Sequence, residues 1–327
     1  MRLKIGVFGA GHLGKIHLKC IGLAPEHYEL VGFFDPDPLV AKTVSEQFQI
    51  PFYENADQLM AAADVVDIVT PTIFHYAVAT QALRMGKHVF IEKPLTHTLE
   101  EAENLIKAAE TSGKKVQVGH VERFNPALLA LGDMPVAPMF IEGHRLANFN
   151  PRGTDVSVIL DLMIHDLDIV LSLVKSPLKN VHASGVAVVS ETPDIANARL
   201  EFENGCVANL TASRISLKQM RKLRLFQKDA YISLDFLEKN AQVVRMYDKS
   251  ETTQAPPGNV FELETPGGTK LIQIEMPAIE PVNSIKMELE SFAQSIVSDL
   301  PAKVSIHDGY EALKVAYQII EKIKNQN

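Results

Sequence analysis

The chain has 327 residues, 46% of them hydrophobic and 22% charged, with a formal net charge of −8. That length accommodates two domains with sizeable cores, and the composition is that of an ordinary globular protein. A pI near 5.8 argues against binding nucleic acid or an anionic membrane, since either calls for a basic surface.

In chain order, the first predicted elements alternate between strand and helix. Strands are expected at residues 3–8, 29–34, 51–53, 65–69, 88–91 and 115–118. Helices are expected between them at 13–23, 39–48 and 75–85, the last ending at Gly86. Thr98 and Glu101 form a capping-box pattern that opens a further helix with Leu99, Ala102, Leu105, Ile106 and Ala109 on one face, closed by Gly113. Six strands in this rhythm predict a parallel sheet covered on both faces, the dinucleotide-binding arrangement.

After Pro126 the rhythm changes. One strongly apolar helix, 157–174, stands among strands near 139–147, 181–190, 196–202, 207–213 and 223–226. Further strands are expected at 231–235, 243–247 and 271–275, and Asn204-Gly205 is a strong hairpin signal. The segment 248–268, rich in Thr, Pro and Gly, reads as a mobile loop, and helices at 282–298 and 309–324 close the chain. The expected fold class is therefore an α/β Rossmann domain with a parallel sheet, residues 1–122, followed by an α+β domain with a largely antiparallel open sheet, residues 123–327. The last helix is free to pack back on the first domain.

The two cysteines, Cys20 and Cys206, are far apart and show no metal-ligand spacing. That suits a reducing compartment and two small buried hydrophobes, with no metal site expected. The N-terminus runs straight into a strand with no long apolar region, and no stretch reaches the length of a membrane span. A cytoplasmic location is expected.

Gly9-Ala10-Gly11-His12-Leu13-Gly14 matches G-x-G-x-x-G after a strand and at the opening of a helix. The glycines permit a tight turn and close approach to a pyrophosphate, which the helix N-terminus stabilises. Asp35 follows 21 residues after Gly14 at the end of the second strand. A carboxylate there accepts from ribose hydroxyls and repels a 2′-phosphate, and Pro36-Asp37-Pro38 brings no arginine, so NAD is expected over NADP. Thr70-Pro71-Thr72 closes another strand at the sheet's ligand end, with Thr72 and His75 placed for the nicotinamide half or, for His75, for a role without chemistry. His12, His17 and His88 read as structural or exposed histidines.

Glu92-Lys93-Pro94 follows the apolar strand His88-Val89-Phe90-Ile91. A lysine at the mouth of such a sheet is either a solvated strand end or a proton carrier beside the nicotinamide. In the second domain, Asp161, His165 and Asp168 are spaced i, i+4, i+7 on an apolar helix. Polar groups placed so are either salt-bridged pins or the wall of a wet cleft facing Lys93. In the second case His165 suits a proton relay and Asp161 the orientation of a hydroxyl.

Together, Gly9 to Gly14, Asp35, Thr70-Pro71, Glu92-Lys93-Pro94 and the Asp161…His165 helix resemble the glucose–fructose oxidoreductase/inositol dehydrogenase (Gfo/Idh/MocA) family over essentially the whole chain. The resemblance implies an NAD-dependent oxidoreductase acting on a sugar secondary alcohol. Lys93 would be its catalytic lysine, His165 the partner and Asp161 the substrate-orienting carboxylate. The cofactor would be held by Gly9, Ala10, Gly11, His12, Leu13, Gly14, Asp35, Thr70, Pro71, Thr72, His75, Glu92 and Lys93.

Residues 119–126, with Pro151-Arg152-Gly153 and residues 161–168, further resemble the family's nucleotide-sugar branch, the UDP-N-acetylglucosamine 3-dehydrogenases. That implies oxidation of the 3-hydroxyl of a UDP-N-acetylhexosamine. Substrate contacts would come from Lys93, Asp161, His165 and two arginines, Arg123 and Arg152, which are equally readable as structural. A free-sugar or inositol dehydrogenase is the alternative within the family, and a non-catalytic NAD-binding sensor the alternative outside enzymes. A homodimer or homotetramer is expected, because one face of the second sheet would otherwise lie open.

Overall fold

The computed structural model describes residues 2–150, 156–249 and 259–325. The chain divides into two compact units, residues 1–124 with 283–314 and residues 125–282 with 315–327. A single cut at residue 122 therefore misses that 283–314 returns to the first unit.

The first unit contains β1 (Leu3–Phe8), α1 (His12–Gly22), β2 (Tyr28–Phe34), α2 (Pro38–Phe48), α3 (Ala56–Ala62) and β3 (Val65–Ile68). It continues with α4 (His75–Arg84), β4 (His88–Glu92), α5 (Leu99–Ser112) and β5 (Val116–Gly119). The strands form one parallel five-stranded sheet in the order β2-β1-β3-β4-β5. The predicted strand at 51–53 is absent. Phe52 makes one isolated parallel bridge to Phe33, and Pro51 has no amide to extend a ladder. Helix α3 was not expected; Asn55 caps it by accepting from the Asp57 and Gln58 amides.

Two other helix starts in this unit follow their local chemistry. Asp37 caps α2, whose first residue is Pro38. At α5 the capping box is complete: Thr98 Oγ1 accepts from the Glu101 amide at 3.2 Å, and Glu101 Oε2 accepts from the Thr98 amide at 3.1 Å. A core of Ile5, Val7, Leu18, Ile21, Phe33, Val65 and Phe90 takes in Leu289, Phe292 and Ala293. Those three belong to α8 (Ser284–Val297), which is why that helix belongs with this unit although its sequence follows the second sheet.

The second unit begins with the short α6 (Pro126–Leu129) and β6 (Phe140–Leu146). A π-helical turn, Ile159–Met163, leads into α7 (Ile164–Leu173). Eight strands follow: β7 (Leu178–Val186), β8 (Ile195–Phe202), β9 (Val207–Ser213), β10 (Met220–Phe226), β11 (Ala230–Asp235), β12 (Asn240–Asp248), β13 (Asn259–Thr265) and β14 (Gly268–Glu275). They form a nine-stranded sheet in the order β13-β14-β12-β11-β10-β6-β9-β8-β7. Every pairing is antiparallel except β6 with β9. The Asn204-Gly205 hairpin joins β8 to β9, with the Phe202 amide donating to Cys206 O at 2.9 Å.

Part of the predicted 248–268 loop is a strand: β13 pairs with β14 across a tight turn at Pro266-Gly267. The rest of that segment, residues 250–258, lies outside the described residues. The inner face of the sheet buries Ile141, Leu200, Leu210, Leu223, Ile232 and Val243 beneath Leu167 and Val170 of α7. Val315, Ala316, Ile319 and Ile323 of α9 (Ile306–Lys324) join this core. Residues 306–314 of α9 cluster with the first unit. Both cysteines are free and buried. Among the described residues no helix is long and apolar enough to cross a membrane.

Candidate active site

The first unit assembles a nucleotide cradle at the end of β1. Gly9 has φ +98°, and a Cβ there would meet Val69 O at 2.7 Å, so this turn admits no side chain. At Gly14 a Cβ would lie 2.0 Å from Gly9 O, which lets α1 start hard against the loop. Gly11 differs: a Cβ there would meet nothing within 4 Å, and no side chain caps α1. The first-turn amides of α1 are thus left without a side-chain cap beside an unobstructed position, features that suit a pyrophosphate. Ala10 is buried, Leu13 and Gly14 are partly to fully buried, and His12 is exposed on the first turn.

Asp35 is locked onto this loop. Its Oδ2 accepts from the Ala10 amide at 2.7 Å and its Oδ1 from the Asp37 amide at 3.0 Å. A carboxylate has about four lone-pair sites, so further acceptor capacity is left, pre-oriented, for a diol. The open cradle, the uncapped helix and the fixed carboxylate fit an NAD.

The loops after β3 and β4 are tied together by His75. Its Nε2 lies 2.9 Å from Thr70 O and its Nδ1 3.0 Å from Pro94 O. The residue is 1% exposed, and burial holds its pKa below the ordinary value against the two carbonyls that favour the charged form. His75 therefore does not present its ring to a nicotinamide, as the sequence allowed; it positions Thr70-Pro71 and Lys93-Pro94 relative to each other. Pro71 is exposed and Thr72, half-buried, opens a 3₁₀ turn over Thr72–Phe74.

Glu92 is buried, and its Oε2 accepts from the Lys93 amide at 3.2 Å. Its Oε1 lies 3.2 Å from His17 Nε2, while His17 Nδ1 is 2.9 Å from Asp67 Oδ2. Neither His17 nor Asp67 was expected at the site. A signal existed for Asp67, an acid in the apolar strand Val65-Val66-Asp67-Ile68, which parallel sheets tolerate only when it is paired. Lys93 is half-buried at the strand mouth, preceding a cis Pro94.

In the second unit Asp161 lies in the π-helical turn and His165 in the first turn of α7, both half-buried. Asp168 is 1% exposed and follows His165 by three residues in α7, while Asp161 precedes both in the π turn. A π turn rotates its residues off the α-helical wheel, and such turns frequently occur at functional sites. A salt-bridged pin on this helix is made by Asp166. Arg145 of β6 donates to its Oδ1 from Nη2 at 2.7 Å and from Nε at 3.1 Å, with both residues buried.

Arg123 sits on the 3₁₀ turn Val121–Phe124, its side chain 14% exposed and its Nη2 3.6 Å from Asp308 Oδ1. That contact lies within the first unit. Arg152, with Pro151 and Gly153, lies outside the described residues.

A parallel sheet with this loop, this acid and a lysine at a strand mouth defines a dinucleotide-dependent oxidoreductase. The profile described as oxidoreductase family, NAD-binding Rossmann fold, matches residues 3–120, and that of the GFO/IDH/MocA C-terminal domain matches residues 137–232. The chain belongs to the GFO/IDH/MocA family, and its cofactor is NAD. It is 35% identical over 320 residues to the UDP-N-acetylglucosamine 3-dehydrogenase of Acidithiobacillus ferrooxidans, covering 98% of this chain and 96% of that one. A solved structure of that enzyme matches with a TM-score of 0.88 at 34% identity, over 99% of this chain and 98% of the other. An inositol 2-dehydrogenase/D-chiro-inositol 3-dehydrogenase of Halalkalibacterium halodurans is 32% identical, over 56% of each chain.

Proposed function

We propose that this protein oxidises the 3-hydroxyl of a UDP-N-acetylhexosamine with NAD. One observation carries the substrate: the near-full-length similarity to a UDP-N-acetylglucosamine 3-dehydrogenase, which spans both units, whereas the inositol dehydrogenase matches about half of the chain. When bound, NAD accepts the hydride. The chain's own groups do the rest. The Gly9–Gly14 loop and the N-terminus of α1 hold the pyrophosphate, Asp35 accepts from the adenosine ribose, and Lys93 takes the hydroxyl proton on its Nζ. His165 and Asp161 are assigned to assisting the proton and orienting the hydroxyl. The protein is placed in the cytoplasm, which suits two free buried cysteines. It self-associates through the outer face of the second sheet, where Phe226 packs edge-on against Phe140 and tilted against Tyr231, with centroids 6.0 and 5.0 Å apart.

The substrate is tested by following NADH formation with UDP-N-acetylglucosamine, UDP-N-acetylgalactosamine, myo-inositol and glucose. An aminotransferase is included to consume the ketone, because oxidation of a secondary alcohol by NAD is uphill near neutral pH. The UDP-sugars should turn over at least tenfold more efficiently than the free polyols. Efficient oxidation of myo-inositol with no UDP-sugar activity would reassign the substrate and leave the chemistry standing.

For the cofactor, Asp35→Ala removes the ribose acceptor and leaves the Ala10 amide without its partner. A charged hydrogen bond contributes roughly 1.5–3 kcal/mol, so NADH affinity, read by fluorescence titration, should fall about tenfold to a hundredfold. Its advantage over NADPH should narrow. Equal NADPH affinity in the unmodified protein would refute the role given to Asp35.

A further inference from the structure

We propose that His17, Asp67 and Glu92 form a buried positioning triad that fixes the backbone of Lys93 for proton transfer. The inference rests on the assignment of that transfer to Lys93. His17 and Asp67 are 0% exposed and Glu92 is 7% exposed, so no water competes for their contacts. The chain of contacts is continuous: Asp67 Oδ2 to His17 Nδ1 at 2.9 Å, His17 Nε2 to Glu92 Oε1 at 3.2 Å, and the Lys93 amide to Glu92 Oε2 at 3.2 Å.

Each ring nitrogen of His17 faces a carboxylate oxygen, and a neutral imidazole has a single N–H. Carrying protons on both nitrogens, His17 donates at each end. Burial works against that charge, but Asp67 and Glu92 outweigh it and hold the pKa well above its ordinary value. The ring is further fixed edge-on to Phe90, with centroids 5.8 Å apart at 63°.

The Glu92 carboxylate lies close against β5: a Cβ at position 119 would stand 2.7 Å from its Oε1, so the glycine leaves room for the carboxylate where it now sits. Helix α1 therefore has two duties. Its N-terminus opens onto the cofactor cradle, and His17, at the next turn, reaches beneath the strand end that presents Lys93. A misplacement of about 1 Å in a positioned reacting group can cost on the order of a hundredfold in rate, so loss of these partners is expected to be felt in turnover.

Three full-length variants test this in the coupled assay with the substrate that the screen identifies. His17→Gln carries its two donors on one nitrogen and so cannot bridge the two carboxylates from opposite ends as the ring does; it should lower kcat about tenfold or more, with KM for the sugar and the NAD dissociation constant within about threefold. Asp67→Asn, one contact further from Lys93, should lower kcat in the same direction by a few-fold. Rates are normalised to the folded fraction from thermal melting, which removes a purely structural effect. In the unmodified protein, ¹⁵N NMR of the His17 ring, assigned through its contact with Phe90, should show two N–H groups at pH 7. If His17→Gln does not fold, Asp67→Asn and the NMR measurement decide by the same criteria. A singly protonated His17 ring, or a folded His17→Gln with kcat within about twofold of the parent, overturns the triad. Lys93→Met, run alongside, separates the two ideas. If it is slow while His17→Gln is fast, only the triad falls; if it is fast, the assignment of proton transfer falls instead.

Discussion

Replacing Lys93 by Met should slow turnover by about a hundredfold or more, the scale of a lost general acid–base group, while NAD affinity changes little. The backbone argument favours a clean result. The Lys93 amide is held by Glu92, and Pro94 O lies against His75 Nδ1, so the loop keeps its place whatever side chain projects from it. Methionine preserves length and apolar bulk but carries no proton. Stopped-flow measurement of the first turnover isolates the chemical step from product release. A near-normal rate would mean that Lys93 is a solvated strand end.

The largest expected stability effect is at Asp166. Arg145 and Asp166 pair through two guanidinium nitrogens and are 2% and 3% exposed. Asp166→Ala leaves a buried guanidinium without this carboxylate, and breaking such a pair by removing one partner costs about 3–5 kcal/mol. Urea unfolding should show a loss of that size. The double variant Asp166→Leu/Arg145→Met, which removes both charges, should recover most of it, because replacing a buried pair by apolar groups is often close to neutral. A single-variant loss below about 1 kcal/mol would show that the pair is not what pins α7 to the sheet.

Much of the first unit was legible because its signals are local. The glycine loop needs positive φ at Gly9 and no side chain at Gly14, the capping box at Thr98 and Glu101 is a contact between near neighbours, and parallel strands read as short apolar runs. The 51–53 strand failed for the converse reason: an apolar run beside a proline looks like a strand, but a ladder needs donors and a partner edge. β13 was hidden because Thr, Pro and Gly around a tight hairpin turn look like a loop until β14 is there to pair with it.

By itself the sequence determined the two folds, the glycine loop after β1 with Asp35 at the end of β2, and the lysine at the mouth of β4, since each depends on residues within a few positions or on a repeated strand–helix rhythm. Only the tertiary structure decided which polar residues work as pins. It paired Asp166 with Arg145, turned Asp168 inward, engaged Arg123 with Asp308, buried His75 between two carbonyls and joined His17 to Asp67 and Glu92. Apart from His75 with Thr70, five residues away, those contacts join residues distant in sequence. Whether a histidine or an aspartate pins or reacts is set by what packs around it, because an unpaired buried charge is costly and a paired one is held.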